Sequence, residues 1–301
     1  MKTLIVGLGN QGSKRRAHLK NDFCGAVDPL NNKAEYKNLK DVNLTKYNAV
    51  LLCVPDNQKE KLINYCIENK KHILVEKPLN LSKTSLKRIE KISNKNKSVV
   101  YTAYNHRFEP HFLNVNKIIK KNSLGKMYHC RMFYGNGTSQ LVKNSKWKDS
   151  GMGVISDLGS HLLDTVHYFF NIMPNNFKLI TKKNFENKFP DHAMLINQNK
   201  SNLIQLEVSL CMWRNSFKCD IIYERGSIHI DSLCKWGPSK LTIRTRKFPS
   251  GIPKEINKII ISEDPTWVKE YIFFKKLIAN KVKNNLSKDI WISQILNQIV
   301  K

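Results

Sequence analysis

The chain has 301 residues, 41% of them hydrophobic and 9% aromatic, which is enough for two domains with real cores. Its 51 basic and 24 acidic side chains give a formal charge of +27, but only nine of the 51 are Arg and the lysines are spread along the whole chain, so a compositional bias is preferred over a nucleic-acid face. No apolar run approaches the ~20 residues of a membrane span and residues 1–7 carry no signal-peptide pattern, so a cytoplasmic protein is expected.

Residues 2–6 read as a buried strand that enters Gly7-Leu8-Gly9-Asn10-Gln11-Gly12, a G-x-G-x-x-G turn, before a helix over residues 13–19. In that context the first glycine makes a tight turn, the second admits a pyrophosphate, and the third lets helix and strand pack closely. The helix N-terminus then offers free N–H groups to the phosphates. A second strand, residues 23–27, ends at Asp28, 21 positions after Gly7. A carboxylate there accepts hydrogen bonds from the ribose hydroxyls and repels a 2′-phosphate, so NAD is favoured over NADP.

Residues 30–47 are polar and read as a short helix and a loop. Strands are expected at 49–54, 73–75 and 99–103, with helices at 59–69 and 81–92 between them. This alternation predicts a doubly wound parallel sheet, a Rossmann-type dinucleotide-binding domain over residues 1–106. The strand at 73–75 runs into Glu76-Lys77-Pro78, where the proline stops the strand at the sheet edge that binds ligands. A surface Glu-Lys pair is the plainer alternative.

Beyond Pro110 a helix at 112–120 precedes a strand near 127–134, a loop at 135–150 rich in Gly, Ser, Asn and Lys, and a helix over 155–170. From 177 onward the pattern has period two: Ile204, Leu206 and Val208 alternate with Gln205, Glu207 and Ser209. That predicts a large, mostly antiparallel sheet with one wet face, and helix returns at 266–300. Residues 107–301 are therefore expected to form an α+β substrate and oligomerisation domain. The seven cysteines show no C-x-x-C pair and no zinc spacing, and several lie in apolar runs, as reduced thiols do.

Asp157 and His161, four residues apart on a helix, can share a face, with Asp164 one turn further. A carboxylate beside an imidazole orients it and raises its basicity. A helix cap and a core histidine are the alternatives, and a metal site of Asp157, His161, Asp164 and His167 is weaker because His167 leaves that stripe. No metal is expected.

Together the glycine turn, Glu76-Lys77-Pro78, Asn105 with Arg107-Phe108, and the Gly151-to-Asp164 run resemble the Gfo/Idh/MocA family, which includes glucose–fructose oxidoreductase and inositol dehydrogenase. The similarity runs from residue 1 to about 170 and continues weakly through Ile222–Ile228 and the Trp267, Glu270, Phe273 helix. Residues 203–273 look most like members found among surface-polysaccharide and sugar-modification enzymes. The resemblance implies an NAD-dependent oxidoreductase acting on a secondary alcohol or ketone of a sugar, cyclitol or sugar derivative. It implies Lys77, Asp157 and His161 as the catalytic set, with the roles of Lys77 and His161 exchangeable. Gly7, Gly9, Asn10, Gln11, Gly12, Asp28, Val54, Pro55, Asn57, Glu76 and Lys77 would border the cofactor, and Asn105, Arg107, Trp147 and His161 the substrate. Lys59 stands where the family often has His, and the glycine triplet before the helix is Gly151-Met152-Gly153. Partners are expected to be a sugar-like substrate and a second or further copies of the chain, as homodimer or homotetramer. The rivals are a redox-neutral use of NAD in sugar modification and a non-catalytic dinucleotide-binding regulator.

Overall fold

The computed structural model describes residues 1–145, 149–199 and 202–299. The chain divides into two compact units, one of Met1–Asn105 with Trp267–Gln294, the other of His106–Thr266 with the chain from Ile295.

The first unit is built on a five-stranded sheet of β1 (Thr3–Val6), β2 (Phe23–Val27), β3 (Ala49–Leu52), β4 (His72–Glu76) and β5 (Val100–Ala103). The strands pair in parallel in the order β2-β1-β3-β4-β5. Continuous apolar runs such as Ala49-Val50-Leu51-Leu52 are buried on both faces, as a parallel sheet requires. Helices α1 (Asn10–Leu19), α2 (Asp56–Glu68) and α3 (Lys83–Lys95) connect the strands. On one face Leu4, Val50, Leu52, Ile73 and Val75 pack with Ile63, Cys66 and Ile67 of α2 and Leu86 and Ile89 of α3. The opposite face gathers Ile5, Leu51 and Leu74 with Leu8, Leu19, Tyr271 and Phe274. Where a helix was expected within 30–47 there are two single turns, Leu39–Asp41 and Leu44–Lys46, each opened by an Asn side chain that accepts a backbone N–H.

Tyr271 and Phe274 come from α7 (Thr266–Ala279), and α8 (Ser287–Gln298) follows it. Assigning all of 107–301 to one body therefore differs from the structure: residues 267–294 pack with the first unit. The reason is a bare sheet face. Phe274 is fully buried there, and the Tyr271 hydroxyl hydrogen-bonds Thr3 at 2.9 Å.

The second unit carries an eight-stranded sheet of β6 (Met127–Gly135), β7 (Phe177–Lys183), β8 (His192–Gln198), β9 (Leu203–Ser209), β10 (Ser216–Tyr223), β11 (Gly226–Asp231), β12 (Ser239–Thr245) and β13 (Lys254–Ile260). Its order is β13-β12-β11-β10-β6-β9-β8-β7, with β6 and β9 parallel and the other pairs antiparallel. The period-two pattern appears as expected: Ile204, Leu206 and Val208 are buried while Gln205 and Glu207 are half-buried. Helices α4 (Pro110–Lys120), α5 (Ser139–Lys143) and α6 (Ser160–Phe170) complete the unit. Phe112 of α4 packs at a tilt against Phe169 of α6 and Phe217 of β10, with ring centroids 5.1 and 5.2 Å apart. α5 lies inside the stretch expected to be loop. None of the seven cysteines is in a disulfide. Among the described residues no helix is long and apolar enough to cross a membrane.

Candidate active site

In the first unit the glycine turn joins β1 to α1. Gly7 has φ +90°, and a Cβ there would lie 2.3 Å from the Cys53 carbonyl oxygen. A Cβ on Gly12 would lie 1.9 Å from the Gly7 carbonyl oxygen. Both glycines are demanded by the chain's own packing. Gly9 is different: its φ of −81° suits any residue, and a Cβ there would meet nothing within 4 Å. It caps the N-terminus of α1, where Asn10 and Gln11 are exposed and the first N–H groups of the helix open outward. An open cradle at a helix N-terminus fits a pyrophosphate.

Asp28 ends β2 beside this turn. Its carboxylate accepts the Leu8 N–H at 2.7 Å, Leu30 N–H at 2.9 Å and Asn31 N–H at 3.0 Å. Partial burial pushes its pKa up, but these backbone donors and Lys37 outweigh it and hold the group below its ordinary value. The Asn31 amide in turn donates to the Leu8 carbonyl at 2.8 Å. Asp28 thus fixes the glycine turn. Val54 lies against Gly7, while Pro55 and Asn57 are exposed at the start of α2.

Glu76 and Lys77 follow β4 at the C-terminal edge of the sheet. Glu76 accepts from Nε of Arg15, a fully buried guanidinium that also donates to Glu270 at 3.0 Å and lies over the Trp267 ring at 4.7 Å. Burial opposes that charge, but Glu76 and Glu270 raise its pKa well past its ordinary value, so it stays charged. Arg15 of the first helix therefore ties the end of β4, through Glu76, to the helix that carries Glu270. Lys77 is half-buried, and its bond to Pro78 is cis. The Pro78 carbonyl accepts from Lys59 Nζ at 2.7 Å. Asn105 is buried at the end of this unit.

In the second unit Gly153 has φ +50°, and a Cβ on it would lie 2.2 Å from the Pro190 carbonyl oxygen, which accepts the Val154 N–H at 2.8 Å. This close approach sets the entry to α6, which begins as a π-helical turn, Ile155–Gly159. The helix expected over 155–170 is therefore not regular at its start, and Asp157 is exposed in the π turn while His161 is buried in the helix that follows.

The His161 ring stacks on His106 with centroids 4.2 Å apart and planes 20° off parallel, and Tyr134 meets it edge-on at 5.9 Å. Burial foremost, then the charges of Asp157 and Asp264, pushes the Tyr134 phenol far up, so it stays protonated. Lys235 Nζ lies 3.4 Å from His106 Nε2, and Trp236 packs on Tyr134 at 5.8 Å. His106, Tyr134, Lys235 and Trp236 were not picked from sequence. The signals were faint: His106 sits beside Arg107, and Tyr134 takes its place in the inward alternation Cys130, Met132, Tyr134. Arg107 pairs through Nε and Nη2 with the Asp164 carboxylate and lies over the Tyr168 ring at 5.4 Å. Trp147 lies outside the described residues.

Comparison with known proteins follows the same division. Residues 1–104 match the family model described as oxidoreductase family, NAD-binding Rossmann fold, and residues 112–229 match the GFO/IDH/MocA C-terminal domain. An uncharacterised oxidoreductase from Schizosaccharomyces pombe is 30% identical over 123 residues, 38% of this chain and 31% of that protein. A myo-inositol 2-dehydrogenase from Thermotoga maritima is 28% identical over 100 residues, 33% of this chain and 29% of its own length. These matches thus span under a third of each relative. Levoglucosan dehydrogenase, solved with NADH, superposes with a TM-score of 0.83 over 100% of this chain and 96% of its own at 14% identity.

Proposed function

The chain belongs to the Gfo/Idh/MocA oxidoreductase family, and on that premise we propose that it oxidises or reduces a secondary CH–OH group of a cyclitol or sugar with NAD. The observation that carries the reading is Gly9: nothing in the protein needs a glycine there, and the space its missing side chain leaves lies at the N-terminus of α1. The glycine turn and α1 N-terminus hold the pyrophosphate, and Asp28 takes the ribose hydroxyls and disfavours NADP. When bound, the nicotinamide supplies the hydride acceptor. Lys77 offers an ammonium to the substrate oxygen and stabilises negative charge developing on it. His161, held by His106 and Tyr134, offers an imidazole nitrogen to the hydroxyl proton, with Asp157 on the preceding turn as its expected carboxylate partner. The substrate class rests on the Thermotoga relative, named as a myo-inositol dehydrogenase, and on the levoglucosan enzyme.

The test is reduction of NAD⁺ followed at 340 nm across inositol isomers, aldoses, anhydrosugars and nucleotide sugars. Turnover on one class, lowered about 10²–10⁴-fold by Lys77→Met with NADH affinity kept, supports the reading. Substrate conversion without NADH release points to the redox-neutral cycle, and wild-type turnover by Lys77→Met removes Lys77 from the mechanism.

A further inference from the structure

Lys59 occupies a position that hydrophobic packing alone would give to an apolar residue. It lies on the inward side of α2 with Ile63, Cys66 and Ile67, and its side chain is 2% exposed. Lysine is among the residue types least often fully buried, so the site must answer its charge. Two groups do. Asp56 Oδ1, one turn back and 53% exposed, lies 2.6 Å from Nζ. The second is the Pro78 carbonyl, 2.7 Å away on the residue after Lys77. Burial lowers the Lys59 pKa, Asp56 and Glu76 oppose that, and the Lys77 charge adds to the lowering. The amine is thus held where a charge is costly, between the Asp56 carboxylate and one backbone oxygen of the turn that carries Lys77.

The same segment is held from its other end. Ser293 Oγ of α8 donates to the Leu81 carbonyl at 2.7 Å and contacts Asn80 Oδ1 at 2.9 Å. Leu79 between them is buried in the core. From Pro78 to Leu81 the chain is thus pinned by polar side chains of two helices, and Lys77 is the residue that leaves the pinned segment toward β4.

We propose that Lys59 is the positioning residue for Lys77, its ammonium holding the Pro78 carbonyl so that the turn presents the Lys77 amine in one place. This rests on the role of Lys77 proposed above. Lys59→Met keeps the stem and removes the donor, and an apolar replacement for a buried charge is compatible with folding. The carbonyl it leaves must find another partner, and the turn shifts to provide one.

The experiment compares wild type, Lys59→Met, Asp56→Asn, Lys77→Met and the Lys59→Met/Lys77→Met double variant on the best substrate of the panel, with NADH affinity measured by fluorescence. A displacement of about 1 Å can cost on the order of 100-fold, so kcat of Lys59→Met should fall by about that factor with KM and NADH affinity unchanged. The double variant should be no slower than Lys77→Met, because both changes act through one amine. Asp56→Asn, at an exposed site, should lower kcat less and in the same way. Amide exchange over residues 77–81, read by mass spectrometry without any substrate, should quicken in Lys59→Met. Wild-type kcat in Lys59→Met, a further loss in the double variant, or unchanged exchange at 77–81 overturns the proposal. Loss of activity in Lys77→Met alone would leave the catalytic reading standing while removing Lys59. Full activity in Lys77→Met would remove the reading itself.

Discussion

Arg107 lays Nε and Nη2 on the two carboxylate oxygens of Asp164 at 2.7 Å each, joining the turn before α4 to the middle of α6. Asp164 is 3% exposed and Arg107 23%, so the pair is largely shielded. Its planar, two-point geometry ties the segment that carries His106 to the helix that carries His161. Asp164→Ala removes the carboxylate from this pair and should cost about 1.5–3 kcal/mol, seen as a lower midpoint for the second unit in denaturant unfolding. A change below about 1 kcal/mol would put the pair among ordinary surface bridges.

Gly9 and Gly12 separate ligand from fold. Gly12→Ala drives a Cβ into the Gly7 carbonyl and should destabilise by about 1–3 kcal/mol. Gly9→Ala meets nothing in the protein and keeps an ordinary φ, so its Tm should hold or rise. NADH affinity of Gly9→Ala should nevertheless fall about tenfold or more, some 1.4 kcal/mol, in a fluorescence titration. Unchanged affinity would mean that the space over Gly9 is not the pyrophosphate site.

Asp22 sets part of the acid limb of stability. Its carboxylate takes the N-terminal ammonium at 3.0 Å, Lys275 Nζ at 2.9 Å and the Tyr271 hydroxyl at 3.0 Å. Burial pushes its pKa up, and these partners together outweigh that and bring it below the ordinary 3.8. A lowered carboxylate pKa contributes stability that is present above 3.8 and lost as pH falls through the folded-state value. Asp22→Asn should therefore be less stable than wild type at neutral pH, with the gap closing below 3.8. Equal stability of the two proteins at pH 7 would contradict this.

Phe274 tests the attachment of α7. It is fully buried against Ile5, Leu51 and Leu74, and Tyr101 lies 6.5 Å from its ring. Phe274→Ala should cost the first unit about 3–5 kcal/mol by urea unfolding. A truncation ending before α7 should leave that sheet face bare and the remaining chain aggregation-prone.

What the sequence disclosed was what is local. Ala49–Leu52 is a continuous apolar run, and only a doubly covered strand suits it. The spacing from Gly7 to Asp28 brings the ends of β1 and β2 together, where the Asp28 carboxylate accepts the Leu8 N–H, because strand, helix and strand lengths are short-range quantities. The helices near the C-terminus were legible as helices, but their home was not. The Arg15–Glu270 pair spans 255 positions, and neither residue announces the other. Asp157 and His161 were read on a regular helix, yet a π turn is a local change of hydrogen bonding that side-chain periodicity does not reveal. Lys59 was visible as a departure from the family pattern. Its burial was not, since a charged residue at the start of an amphipathic helix is ordinarily solvated.

The most direct test is a thermal melt of the purified chain with NADH and with NADPH. At about 100 times Kd, a ligand bound only to the folded state adds roughly 2.7 kcal/mol. The account predicts a clear upward shift with NADH, none with NADPH, and an NADH shift cut to about half or less in Gly9→Ala. A melt that neither dinucleotide moves, or that only NADPH moves, would contradict the reading of the glycine turn and Asp28 on which the proposed function stands.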